Sequence, residues 1–315
     1  MRKIVVSISV AIGAVLLVTG AILVKRSDAV TLPLKANGIP QHGLTIVTFG
    51  QRDFERLRNN LPHDVIQSET SLQPYVFVQN LANKRVIAYA LRWDLLKDDG
   101  TVATKIRRYS REDLLIGSEA SDDRGDNIVL RPHTARLFSL SGYADKQEVS
   151  TTASMVSELS DASSAAVEGI SKTGLLQKTI NEVSHTVSIT VSLDGAIFED
   201  GTFVGPNTTN FFERIAAKNK AREDTINEIL NRLDQHVSST EILSDLKTRS
   251  QGLHSLDVVT PPPDARSEDL YNFYSRRFLD DLLTMRNGIQ DDDLTLRRML
   301  AHNKPRHNVR LQKLP

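Results

Sequence analysis

The stretch from His185 to Arg214, HTVSITVSLDGAIFEDGTFVGPNTTNFFER, divides the chain into two kinds of polymer. Before it come mostly short alternating runs separated by turn residues. After it, apolar residues recur at helical spacing. The fold class this implies is α+β. Within the stretch, Val187, Ile189, Val191 and Leu193 alternate with Ser188, Thr190 and Ser192. Strand side chains point to opposite faces with period two, so this is a half-buried strand with an apolar face and a hydroxyl face. Asp194-Gly195 interrupts the alternation, either as a bulge or as an Asx-Gly turn. Asp200-Gly201, between Ile197-Phe198 and Phe203-Val204, predicts a hairpin of type I′, in which both central residues have positive φ. Gly205-Pro206 ends the returning strand, and Asn207, Thr208, Thr209 and Asn210 each offer a helix cap.

Asp194, Glu199 and Asp200 make an acidic cluster on paper, and carboxylates so placed can bind a hard cation or act as acid and base. Turn chemistry accounts for the aspartate of each Asp-Gly pair, and a solvated strand end accounts for Glu199. No metal, cofactor or catalytic role is therefore assigned to them.

Upstream, residues 30–43 hold two prolines and two glycines with no clear period and read as a linker. Leu44–Phe49, Tyr75–Gln79 and Arg85–Leu95 read as strands. In the last of these Ile87, Tyr89, Leu91, Trp93 and Leu95 share one face. Asp99-Gly100 supplies a turn, Thr101–Tyr109 returns, and further strands flank Pro132-His133. An inward-facing tryptophan on a central strand, within several short strands, resembles an immunoglobulin-like or fibronectin-type-III-like module. The resemblance covers residues 44–140 and 186–198 and is one of architecture, so it implies an antiparallel β-sandwich and no activity. Trp93, the only tryptophan, is assigned to the core rather than to a ligand platform. The sandwich is expected over residues 44–206, with a Ser/Ala-rich insertion at 141–184. There Met155, Leu159, Ala162, Ala166 and Ile170 recur at helical steps.

Downstream, residues 207–303 predict four helices. One runs from about 210 to 236, one is capped at Ser238, Ser239 or Thr240, one starts at Ser267, and one opens at Asp291-Asp292-Asp293. Negative charge suits a helix N-terminus, so the three aspartates are not read as a metal site. From Arg297 every charged residue is basic, and residues 304–315 form a basic tail. Such a tail suits anionic lipid or polyanion, or simply solvent.

The N-terminus speaks to location. Ile4 to Val24 is almost wholly apolar between Arg2-Lys3 and Lys25-Arg26, and about 20 such residues cross a bilayer as a helix. Residues 1–29 are read as a transmembrane anchor, single-pass with the main domain extracytoplasmic. The alternative is a signal peptide cleaved near Ala29, leaving a secreted or periplasmic protein. The lipid bilayer is thus one expected partner. Nucleic acid is not, because 39 basic and 39 acidic residues leave no net charge. The absence of cysteine excludes disulfides, thiolate nucleophiles and cysteine-ligated zinc.

Other motifs fail on spacing. Asp122, Asp123, Asp126 and Asn127 miss the calcium-loop pattern, and Arg124-Gly125-Asp126 is too short to carry adhesion. Lys172-Thr173-Gly174 lacks the nucleophile motif that accompanies it in penicillin-binding enzymes. The pattern D-G-x-x-F-x-D-G-x-x-x-G-P at Asp194–Pro206, followed by a charged helix, resembles a family of uncharacterised exported bacterial proteins. That resemblance implies export and no chemistry. The preferred expectation is a membrane-anchored extracytoplasmic binding or scaffolding protein of the bacterial envelope. Its rivals are an envelope hydrolase whose site is assembled only in the fold, and a subunit of an envelope complex.

Overall fold

In the computed structural model, residues 32–61, 74–111, 128–140, 147–150, 183–253, 261–262, 264–286, 293–303 and 310–314 are described. The spine is the alternating strand anticipated above, β8 (Thr186–Phe198). Strand β4 (Val86–Lys97) runs antiparallel along its whole length, from Val86 opposite Phe198 to Lys97 opposite Thr186. The other flank of β8 is shared. Its first half takes β1 (Leu34–Asn37) in parallel, and its second half takes β9 (Thr202–Val204) antiparallel. Outside β9 lies β10 (Gln312–Lys313), parallel to it, and outside β4 lies β5 (Val102–Ser110). A second sheet, wholly antiparallel, orders β2 (Leu44–Thr48), β3 (Tyr75–Asn80), β6 (Thr134–Ser139) and β7 (Gln147–Ser150).

This corrects the expected architecture. The larger sheet is mixed, because short segments from both ends of the chain join it in parallel. The two sheets, one mixed and one antiparallel, therefore do not form the wholly antiparallel, immunoglobulin-like sandwich that was expected. Leu34–Asn37, inside the expected linker, and Gln147–Ser150, inside the expected insertion, are strands. Among the described residues no helix is long and apolar enough to cross a membrane. The expected transmembrane helix at Ile4–Val24 lies outside them, as do the acidic loop at 117–127 and the Lys172-Thr173-Gly174 stretch.

The two sheets share a core. Tyr89, Leu91, Trp93, Ile189, Val191 and Leu193 of the larger sheet meet Ile46, Val76, Val78 and Phe138 of the smaller one. Tyr89 stacks on Tyr109 with ring centroids 5.0 Å apart and meets Phe138 edge-on at 5.7 Å. Each such side chain taken from water contributes roughly 1.5–3 kcal/mol before the entropy of ordering it. Helix α1 (Arg52–Arg58) covers the back of the smaller sheet with Phe54 and Leu57. Helix α2 (Phe211–Asp234) covers half the back of the larger sheet, setting Phe211 and Ile215 against Ala88, Ala90, Ile197 and Phe203. The two alanines leave the room a helix needs.

The remainder of α2 packs with α3 (Ser239–Gly252), α4 (Ser267–Arg286) and α5 (Asp293–Asn303) around Ile226, Ile229, Leu246, Leu279 and Leu300. Ser238 caps α3, its hydroxyl accepting from the Glu241 N–H at 3.3 Å. Asp293 sits in the first turn of α5, as read from the dipole argument, and also accepts from the Ser239 N–H at 2.9 Å. Near the C-terminus, Lys313 lies 3.6 Å from Glu213, so this part of the basic tail is built into the sheet.

Candidate functional site

The back of the larger sheet changes character along β4. Ala88, Ala90, Arg92, Asp94 and Leu96 alternate onto this face, and their cross-strand partners point the same way. The alanines lie under α2. Next come two polar rows, in which Asn37, Ser192, Arg92 and Ile106 line up across four strands beside Lys35, Thr190, Asp94 and Thr104. Beyond them the face opens: Leu96 is 37% exposed and its partner Val102 56%, with half-buried Ser188 alongside.

The polar rows are wired together. Thr104 donates to Asp94 Oδ1 at 2.6 Å, and Arg92 Nε donates to the same carboxylate at 2.9 Å. Arg92 Nη1 reaches the Thr208 hydroxyl at 3.1 Å. That hydroxyl donates to Asp194 Oδ1 at 2.5 Å. A continuous path thus leads from the solvent edge of β5 to a carboxylate that is 1% exposed.

Asp194 owes its place to the bulge. Ala90 pairs with Gly195 and Leu91 with Leu193, so Asp194 has no partner on β4. The extra residue turns the strand, and its side chain meets the loop before α2. Oδ1 accepts from the Thr208 N–H at 2.7 Å as well as from its hydroxyl. Oδ2 accepts from the Thr209 N–H at 3.0 Å and its hydroxyl at 2.6 Å. Four donors satisfy one buried charge, as burial of a carboxylate requires. Of the four residues offered as caps, Asn207 does the capping. Its Oδ1 accepts from the Phe212 N–H at 2.8 Å, and its Nδ2 donates to Glu213 at 2.6 Å. Two glycines let the backbones close on this latch. A Cβ at Gly195 lands 2.5 Å from the Phe203 ring, and one at Gly205, whose φ is +120°, lands 2.8 Å from Gly195 Cα.

The acidic trio is divided among separate partners. Asp194 points inward to the loop. Glu199 accepts from Arg85 Nε at 2.7 Å, and Asp200 from Lys84 Nζ at 2.5 Å and the Thr202 N–H at 3.0 Å. Burial pushes the Asp200 carboxyl up, but Lys84 and Thr202 together hold it below the ordinary value. Its turn also differs from the expected type I′: only Gly201 has positive φ, and its N–H donates to the Phe198 carbonyl at 2.9 Å. That is a type I turn followed by a left-handed glycine. No cluster of three or more metal-ligating side chains occurs among the described residues. Trp93 is fully buried in the core.

Three arginines escaped the sequence reading. Arg92 completes the polar path. Arg108 on β5 stands opposite Ala90, and Arg214, 2% exposed, lies in the first turn of α2. Burial, and then the charge of Arg214, push the Arg108 guanidinium down from its ordinary value. A signal was present. Lys105, Arg107, Arg108 and Arg111 crowd one strand end with no acid between them, and Arg214 lies between the apolar Phe211 and Ile215 of a helix start.

No protein-family model matches the chain, and no curated protein or solved structure matches it either.

Proposed function

We propose that the protein is a membrane-anchored, extracytoplasmic binding or scaffolding protein of the bacterial envelope that takes a protein partner on the open end of its larger sheet. One observation carries the binding part: the back of that sheet is covered by α2 over Ala88 and Ala90 and left open over Leu96 and Val102. Apolar side chains exposed on a sheet face, rimmed by the hydroxyls of Ser188, Thr190 and Thr104, suit a protein surface that brings both apolar contact and hydrogen-bonding groups. Strand β5 bounds this face and pairs only with β4 among the described strands, so its outer edge suits an added strand. The anchoring part rests on the apolar run Ile4–Val24 and its flanking charges.

The test is photo-crosslinking from position 104 in intact cells, with position 247 on the solvent side of α3 as control. A discrete adduct in the membrane fraction from position 104 alone, lost on Leu96→Arg with Val102→Glu, is the expected result. Both substitutions fall on exposed positions, so the folded body remains to be tested. Equal adducts from both positions, or an adduct indifferent to the double substitution, overturn the reading. Location is checked with a C-terminal tag. Full-length mass in membranes, with the tag digestible only from outside the cytoplasm, is expected; a tag protected inside the cytoplasm sinks the topology.

A further inference from the structure

Buried charge normally comes with its counter-charge, and among the described residues Arg214 and half-buried Arg108 have no carboxylate bonded to them. Arg214 rises from the first turn of α2 between Phe211 and Ile215, which pack on Ala90; Arg108 stands on β5 directly across from Ala90. Both arginines therefore lie at the seam between sheet and helices, where the charge of Arg214 acts on Arg108. Arg214 Nη2 donates to the main-chain carbonyls of Pro261, at 2.8 Å, and Pro262. These are neutral acceptors. Its Nε is buried without a hydrogen-bond partner, and so is Nε of Arg108. Neither arginine is ion-paired to a carboxylate among the described residues. Asp194 is the nearby acid, but all its bonds go to Thr208 and Thr209. Tyr274 of α4 stands near enough to act on the charge of Arg108.

We propose that Arg108 and Arg214 form a binding site for a phosphate-type oxyanion at the seam of sheet and helices. The chemistry follows from the donors. One guanidinium fork satisfies a planar carboxylate, whereas two forks arriving separately from β5 and α2 match the several oxygens of a tetrahedral anion. A bound anion supplies the missing negative charge and relieves the repulsion between the two cations. The same phosphate chemistry can come from a free ion or from an esterified group such as a lipid headgroup.

The experiment is thermal unfolding of the detergent-solubilised full chain in inorganic phosphate against chloride at equal ionic strength. Phosphate at tenfold its dissociation constant is expected to raise Tm by roughly 3 °C. Arg108→Leu should remove the response while leaving Tm in chloride equal to or above the parent's, since it deletes a repelled cation. Arg108→Gln, which keeps a polar stem, repeats the test should the leucine variant fail to fold. Glycerol 3-phosphate then separates the sources: a response to both probes supports an esterified group, and a response to inorganic phosphate alone supports the free ion. No phosphate-specific rise in the parent overturns the proposal. So does an equal rise in the Arg108 variants.

Discussion

Asp194-Gly195 and Asp200-Gly201 are the same dipeptide met twice within one strand and turn, and the fold uses them oppositely. At the second, the aspartate stays at the surface, its side chain 38% exposed, and the glycine takes the left-handed conformation that closes a hairpin. At the first, the strand continues. The aspartate is expelled from pairing, buried and ringed by four donors, and the glycine admits the ring of Phe203. The difference lies in what stands opposite. Asp200 faces Lys84 and solvent, whereas Asp194 faces two threonines of the loop that launches α2. A dipeptide fixes local backbone freedom. The long-range partner decides whether that freedom makes a turn or a joint.

The comparison can be broken at its strong end first. Asp194→Ala strands two backbone N–H groups and two hydroxyls and is expected to cost about 3–5 kcal/mol. Urea denaturation measures it, and a loss under about 1 kcal/mol would reduce Asp194 to an ordinary turn residue. Gly195→Ala is next, at about 1–3 kcal/mol, because the added methyl meets the Phe203 ring; Gly195→Ala with Phe203→Leu should recover part of that loss. Asp194→Asn sharpens the point. One carboxylate oxygen becomes an NH2 facing a backbone N–H that cannot rotate away, so about 2 kcal/mol should be lost despite unchanged shape. Asp200→Ala removes an exposed pair and a turn bond and should cost less than about 1 kcal/mol.

The smallest effect is one of pH. Thr101 bonds hold the Asp99 carboxyl below 3.8, and Lys84 with Thr202 do the same for Asp200 against the upward push of burial. Carboxyls lowered on folding add stability that is present above the ordinary value of 3.8 and lost as pH falls through their folded values. Asp99→Asn with Asp200→Asn should therefore lower stability slightly near neutrality and flatten its fall below pH 3.8, so that variant and parent converge in acid. Melting curves across that range decide it, and an unchanged acid limb would show the turn bonds contribute nothing.

What was legible in the sequence was local. Ile189, Val191 and Leu193 announced the inward face of β8, Gly195 the bulge, Ser238 the α3 cap and Ser267 the start of α4. What was not legible was non-local. Leu34–Asn37 is too short to show a period, and its strand character comes from pairing with Ile189–Ser192. Gln312-Lys313 becomes a strand only because Thr202 and Phe203 offer a free edge. The candidate surfaces were hidden for the same reason: Arg108 and Arg214 stand far apart in sequence, and only the packing of α2 over Ala90 brings them together.

The shared flank of β8 also sets an order of assembly. Asn37 bonds Ser192 across 155 positions, so β1 must wait, unpaired, until most of the chain has been made. β9 takes the other half of that flank as a local hairpin, and β10, from the other end of the sequence, then covers the outer edge of β9. Contacts of such sequence separation carry a large loop-closure cost before they stabilise anything, which slows the final steps. Until the end strands dock, the first half of β8 and the outer side of β9 offer bare edges to any extended chain nearby. The protein should thus be most prone to aggregate late in folding, when its core has formed and its two closing strands have not.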